Sequence, residues 1–299
     1  MSNADVYRVT DRLDNATLDL IIERLEARGK HPRTQQLIDE YLNAMKVDAA
    51  SNVLDIGCGT GVIGRRIAAR PAFRGSVIGI DLSPYLTHTG ARLAAAEGVG
   101  DRIDFRTGDS LTLGIPNQSL DAVVAHTLLS HVEHPAQVLS EIRRVLKPNG
   151  IAVICDGDFA SITFEGSDPV KAKHDDETII GALMTQPRIM RQLPALLPAS
   201  GLRSIRCFGH VIADVGQMDY WGPAVESFRK MLPKTGVMTP EYADAWAADL
   251  KARSDRGAFF AASNYFSYLV VPVLDMTSKT PAWDGKLSRK SSPMRRSRT

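Results

Sequence analysis

Cysteine is scarce in this chain of 299 residues: Cys58, Cys155 and Cys207 stand far apart, odd in number and without any C-x-x-C spacing. That pattern excludes a disulfide framework and a zinc ribbon and points to a reducing compartment. Long apolar runs are missing too. The longest, YFSYLVVPVL, is too short to cross a bilayer, and the N-terminal MSNADVYRVTDRLDNATLDLI carries acids where a signal peptide has its apolar core. The expectation is a cytoplasmic protein without stable membrane insertion. Net charge is nearly absent at +2, but unevenly placed: from Met276 onward seven Lys and Arg face one Asp, leaving a body of about −4. A mildly acidic body without an aromatic-basic stripe gives no general attraction for nucleic acid. The polar, basic segment 276–299 reads as a disordered tail. No internal repeat is visible.

What is present is an ordinary globular balance, 44% hydrophobic and 23% charged, able to bury a sizeable core. Residues 17–46 read as two helices, Gly29 ending the first and Pro32 opening the second. From residue 49 short apolar runs alternate with helical patterns. SNVLDIG, GSVIGIDLS, RIDFRTGD, SLDAVVAH and IAVICDGD read as strands, and GVIGRRIAAR, PYLTHTGARLAAAEG and PAQVLSEIRRVLKPNG as helices, the last closed by its Lys-Pro-Asn-Gly turn. Such alternation means a parallel sheet covered on both faces. After Asp158 the rhythm changes: 159–200 and 217–256 read as helical, LRSIRCFGHVIADVG and ASNYFSYLVVPV as strands. The chain divides into an N-terminal helical cap at 1–48, a ligand-binding core at 49–158, acceptor-site helices with the final strands at 159–275, and the tail at 276–299.

The first strand runs into VLDIGCGTGVIG, which contains a literal G-x-G-x-x-G at Gly59, Gly61 and Gly64, with Asp81 about 20 residues on, the dinucleotide-binding fingerprint. Glycines let backbone N–H groups approach a ligand that a Cβ would exclude, and Asp81 can accept both hydroxyls of a ribose. Those features suit a nicotinamide dinucleotide and S-adenosylmethionine equally. Asp55 separates them, because a carboxylate beside the cradle repels a pyrophosphate and welcomes an ammonium group with a sulfonium. Asp109, after the third strand, can accept a hydrogen bond from an adenine amino group, which brackets that end between Leu82 and Asp109.

Residues 50–157 resemble the core of a class I S-adenosylmethionine-dependent methyltransferase, close to the methyltransferases of ubiquinone and menaquinone biosynthesis. The resemblance rests on VLDIGCGTG, VIGIDLS, RTGDS, LDAVVAHTLLSHVEHP and VLKPNGIAVICDGD in that order. It implies an α/β, doubly wound Rossmann-like sheet of seven strands, the last antiparallel, with helical N-terminal and C-terminal cap insertions. The implied cofactor contacts are Asp55, Gly57, Cys58, Gly59, Gly61, Asp81, Leu82, Asp109, Ser110 and His126. Gly64 departs from the family pattern and reads as close packing of a helix on the sheet.

Methyl transfer from a sulfonium is an in-line displacement, so the protein chiefly aligns the nucleophile and excludes water. A base is needed only where the acceptor must lose a proton. Candidates are His126, His131, His134, Asp156 and Asp158. His131 is preferred, as base or as acceptor-positioning residue, since histidine exchanges protons near neutral pH; the alternative is a packing residue for the helix near Pro135. No third ligand accompanies His131 and His134, so no metal is expected. Arg33 reads either as the partner of the cofactor carboxylate or as a solvent-facing arginine. The acceptor is expected to be a small molecule held by some of Tyr7, Phe159, Phe164, Met184, Met190, Met218, Tyr220, Trp221, Phe228 and Trp246. Two rivals stand beside this reading, a nicotinamide oxidoreductase and an S-adenosylmethionine-binding cyclase that transfers no methyl. The oligomeric state is left open, a homodimer included.

Overall fold

A computed structural model describes residues 5–273. The tail at 276–299 lies outside them. The first strand, β1 (Asn52–Ile56), sits in the middle of a seven-stranded sheet with β2 (Ser76–Asp81), β3 (Ile103–Thr107), β4 (Leu120–His126), β5 (Leu146–Phe164), β6 (Leu202–Gly216) and β7 (Phe259–Pro272). The order is β3-β2-β1-β4-β5-β7-β6. β1 to β5 pair in parallel, and β7 runs antiparallel to both β5 and β6. The strand order reverses between β1 and β4, which opens a crevice at their carboxyl ends.

Both sheet faces are apolar, as a parallel sheet with helices on either side requires. Val53, Ala122, Val124, Val153 and Cys155 face one core, with Leu37, Ile38, Tyr41 and Leu42 of α2 (Pro32–Ala44) and Ile63 and Ile67 of α3 (Val62–Ala68). The alternate residues Leu54, Ile56, Val123, Ala125 and Ile154 face the other, under α5 (Pro135–Val145) and α7 (Ile189–Ala199). Between α3 and α5 in the chain, α4 (Pro84–Ala96) is capped by the Ser83 side chain. A third apolar cluster joins the far ends of β5 and β7 to α6 (Pro169–Leu183), α8 (Gly222–Thr235) and α9 (Pro240–Asp255), with Trp221, Phe228 and Trp246 buried inside it. No helix among the described residues is long and apolar enough to cross a membrane.

The N-terminal helices α1 (Asn15–Lys30) and α2 form as read, with His31 capping α2 and Pro32 at its first position. Gly29 does not end α1. It lies inside that helix, where a Cβ would stand 2.5 Å from Val62 Cγ1, so the glycine is there for close approach to α3. Gly64 behaves as read: a Cβ would meet Ile103 Cδ1 at 2.6 Å and Asp55 Oδ2 at 3.2 Å. Two strand limits differ. The Lys-Pro-Asn-Gly stretch is carried inside β5 by an irregular register between Leu120 and Ala122 of β4. β5 also continues past Asp158 to Phe164, because Thr163 and Phe164 pair with Ala262 and Ala261 of β7.

Candidate functional site

At the carboxyl ends of β1, β2 and β4 two cavities of about 110 and 410 Å³ share Tyr7, Thr10, Gly57, Asp81, Leu128 and His131. The outer one is lined by Leu82, Asp109 and Ser110, the inner one by Asp55, Cys58, Gly59, Arg24, Arg28, His126, Phe159 and Met184. The glycine turn forms their floor. Gly57 and Gly59 have φ of 68° and 53°, a region costly to a residue with a Cβ; at Gly57 that atom would also lie 2.7 Å from Leu128 Cδ1. Gly61, with φ 75°, is instead the N-cap of α3 and packs on Phe105; it does not line the cavities.

Asp55 and Asp81 are held by backbone donors. Gly64 N–H donates to Asp55 Oδ2 at 2.9 Å. Burial, helped by the charge of Asp81, pushes the Asp55 carboxyl up to about 7. Asp81 accepts from Gly59 N–H at 2.8 Å and Ser83 N–H at 3.0 Å, one bond to each oxygen, and burial raises its pKa as well. Each oxygen keeps a lone pair for a ligand. Asp109 Oδ1 accepts from Leu111 N–H at 2.8 Å, leaving Oδ2 free. His126 lines the inner cavity with its Nδ1 3.1 Å from the Tyr41 hydroxyl. Burial and the nearby Arg28 charge push it down to about 3, so it is a neutral imidazole.

His131 stands where the two cavities meet and is 8% exposed. Its Nδ1 lies 3.0 and 2.9 Å from the two carboxylate oxygens of Asp5, which is itself buried. Asp5 also accepts from Thr185 N–H at 3.0 Å, Thr185 Oγ1 at 2.8 Å and Tyr7 N–H at 3.0 Å. Residues 5–12 thus form a strap across the cavities, with a second tie from Arg8 to Glu133. Asp5 was not singled out in the sequence. It lies 126 residues from His131, and a lone acid in a polar N-terminal stretch carries no local signal.

Four further candidates sit elsewhere. Arg33 donates to Asp214 Oδ1 at 2.9 Å and to the Ala213 carbonyl, so it clasps α2 to β6. The arginines lining the inner cavity are Arg24 and Arg28, and Arg28 Nη2 donates to Thr127 Oγ1 at 2.9 Å. Asp156 accepts from Ser130 N–H, Ser130 Oγ and Gly157 N–H, and Asp158 forms a bidentate pair with Arg191. Neither lines the cavities, nor does His134. Of the apolar candidates, Tyr7, Phe159 and Met184 reach the inner cavity, and Tyr220 and Trp221 line a smaller one beside it. Phe164, Met190 and Trp246 are core residues. Among the described residues no three His, Cys, Asp or Glu side chains are grouped so as to hold a metal ion.

Residues 53–150 match the family model of a methyltransferase domain. The chain is 37% identical over 111 residues to a demethylmenaquinone methyltransferase of Symbiobacterium thermophilum, covering 37% of this chain and 44% of that protein. It is 31% identical over 160 residues to a 37.1 kDa protein in transposon TN4556 of Streptomyces fradiae, covering 54% and 46%. These alignments span less than half the length of either relative. In fold the chain is similar to the (4+2)-cyclase SpnF, with a TM-score of 0.58 and 21% identity over 91% of this chain and 98% of that one.

The site's own geometry fits S-adenosylmethionine and not a dinucleotide. A dinucleotide fold seats its pyrophosphate at the first helix N terminus, and here a carboxylate, Asp55, already occupies the Gly64 N–H. The glycine cradle, Asp81 and Asp109 are laid out in sequence along the two cavities. Residues 53–150 are therefore a domain of the class I S-adenosylmethionine-dependent methyltransferase family.

Proposed function

We propose that the protein transfers a methyl group from S-adenosylmethionine to an O, N or C atom of a small apolar or aromatic acceptor. The observation that carries this reading is the adjacency of the two cavities, which share Gly57, Asp81 and His131 and set the half with Leu82, Asp109 and Ser110 beside the half walled by Phe159 and Met184. Bound S-adenosylmethionine supplies a methyl group already activated by its sulfonium. Asp109 and Leu82 would hold the adenine, Asp81 the ribose hydroxyls, Arg28 the carboxylate and Asp55 the ammonium. Gly57 and Gly59 leave room for the backbone to meet the ligand.

The acceptor would lie against Tyr7, Phe159 and Met184, beside His131. Asp5 accepts a hydrogen bond from His131 Nδ1–H, which orients the ring and leaves Nε2 to draw a proton from an acceptor hydroxyl or acidic carbon. The imidazolium so formed is then stabilised by the adjoining carboxylate. The strap over the site excludes water and confines the acceptor, and alignment supplies much of the rate. Caps 1–48 and 159–275 wall the acceptor around the core 49–158. We place this chemistry in the cytoplasm and outside nucleic-acid modification, in keeping with the mildly acidic body.

Calorimetric titration tests the nucleoside half. S-adenosylhomocysteine should bind and NADH should not. Asp81→Ala should weaken the nucleoside by about 2 kcal/mol, as charge-assisted hydrogen bonds are lost. Tight NADH binding, or full affinity in a folded Asp81→Ala protein, would overturn the assignment.

A further inference from the structure

Along α1 the residues Ile21, Arg24, Leu25 and Arg28 follow the i, i+3, i+4, i+7 spacing of a buried stripe, and all four line the inner cavity. Two arginines thus occupy positions where the pattern calls for apolar side chains. The buried Arg65 has Glu26 as acidic partner, and the half-buried Arg66, Arg70 and Arg144 have Asp39, Asp48 and Glu141. Among the described residues Arg28 has one side-chain hydrogen-bond partner, the Thr127 hydroxyl, and feels the Asp156 carboxylate without touching it. Arg24 has less, since among the described residues its Nη1 is buried with no hydrogen-bond partner and no carboxylate pairs with it.

The Arg24 guanidinium is stacked 4.7 Å from the Phe228 ring centroid and 5.8 Å from that of Tyr7. Stacking serves the faces of the guanidinium. It does nothing for the N–H donors in its plane, which call for oxygen acceptors arranged to match the fork. Behind Arg24 and Arg28 lies a smaller pocket walled by His31, Phe159, Tyr220 and Tyr265, and no Asp or Glu lines it. The acids of the inner cavity, Asp55 and Asp81, belong to its glycine-turn end. A cation shielded from water with no protein anion is costly unless a ligand brings the countercharge.

Two such arginines ask for two anionic groups. The cofactor carboxylate answers Arg28, and this step rests on the cofactor assignment above. We propose that the acceptor itself carries the second, an anionic oxygen group such as a carboxylate or a phosphate monoester, seated on Arg24 with its organic body against Tyr7, Phe159 and Met184 in the inner cavity. The group fixes the far end of the acceptor and turns its nucleophilic end towards His131. A neutral acceptor would leave the buried Nη1 of Arg24 without an acceptor, so the pocket selects against neutral analogues as well as for anions.

The full chain, loaded with S-adenosylhomocysteine, is titrated calorimetrically with matched probes: caffeate and methyl caffeate, indole-3-acetate and its methyl ester, phenyl phosphate and phenol. At least one anion is expected to bind tenfold or more tightly than its neutral partner. Arg24→Met should abolish that preference while S-adenosylhomocysteine affinity stays unchanged, and Arg24→Lys should restore part of it. The lysine variant also keeps the test open should the methionine variant fail to fold. Neutral partners binding as well as the acids and phosphate, no anion binding at all, or an undiminished preference in Arg24→Met would each overturn the proposal. A wild-type protein that does not bind S-adenosylhomocysteine sinks the cofactor assignment instead, and the probe pairs are then compared without the nucleoside by the same criteria.

Discussion

Replacing Asp5 by Asn keeps the volume of the side chain but removes the charge opposite His131 and puts an amide NH2 among donors. Asp5 receives four contacts besides its own backbone geometry: His131 Nδ1 at 2.9 Å, Thr185 N–H at 3.0 Å, Thr185 Oγ1 at 2.8 Å and Tyr7 N–H at 3.0 Å. With Asn, one of these donors must face an NH2 group, and the imidazolium formed during turnover loses its countercharge. Hydrogen bonds to a charged group contribute about 1.5–3 kcal/mol, and each 1.36 kcal/mol in a barrier is roughly tenfold in rate. Turnover, read as S-adenosylhomocysteine release at saturating acceptor, is therefore expected to fall roughly 10- to 150-fold in Asp5→Asn. Affinity for S-adenosylhomocysteine should be little changed, because Asp5 does not line the nucleoside half. His131→Gln, which removes the proton acceptor itself, should lower turnover at least as far while leaving that affinity unchanged. A folded Asp5→Asn protein with turnover within twofold of wild type would refute the positioning role.

The remaining predictions concern the nucleoside half. Arg28→Ala should weaken S-adenosylmethionine binding by about 1.5–3 kcal/mol through loss of a charge-assisted contact, whereas Arg33→Ala should leave it unchanged and lower only the melting temperature; equal losses of affinity would reverse the assignment of the two arginines. Asp55, held at about 7 in the folded protein, titrates near 3.9 once unfolded. Between those values the folded state keeps a proton the unfolded state has lost, so this group's contribution makes stability fall as pH rises from about 4 to 7 and stay level above. Melting curves without nucleoside should show that part of the slope disappearing in Asp55→Asn; an identical slope in both proteins would contradict the buried carboxyl. Nucleoside affinity should also rise between pH 6 and 8, roughly the interval in which Asp55 acquires its charge.

The central sheet was legible because its signals are local. VLDIG, VIGID and AVVAH are near-continuous apolar runs, which only a strand buried on both faces tolerates, and the glycine turn with Asp55 and Asp81 sits within one β-α-β unit. The same locality explains the limits. The end of β5 at Phe164 depends on Thr163 and Phe164 finding Ala262 and Ala261 about 100 residues later. His131 could be singled out from its place after the fourth strand, but Asp5 could not, since only the folded strap brings it to Nδ1. Arg33 and Arg28 are both arginines near a helix break; what separates them is the fold, which turns Arg28 into the inner cavity and Arg33 onto Asp214. The stripe Ile21, Arg24, Leu25, Arg28 was open to view in the sequence, as two cations at apolar positions. Its meaning needed the cavity.

The central claim is that this chain moves a methyl group. Incubation of the full chain with S-adenosylmethionine bearing a trideuterated methyl group and an accepted small molecule, followed by mass spectrometry, tests it directly. The account predicts equal amounts of S-adenosylhomocysteine and of acceptor carrying the intact trideuteromethyl group. Acceptor converted to an isomer of unchanged mass while S-adenosylmethionine is recovered whole would contradict it and assign the nucleoside a role as bound electrostatic catalyst.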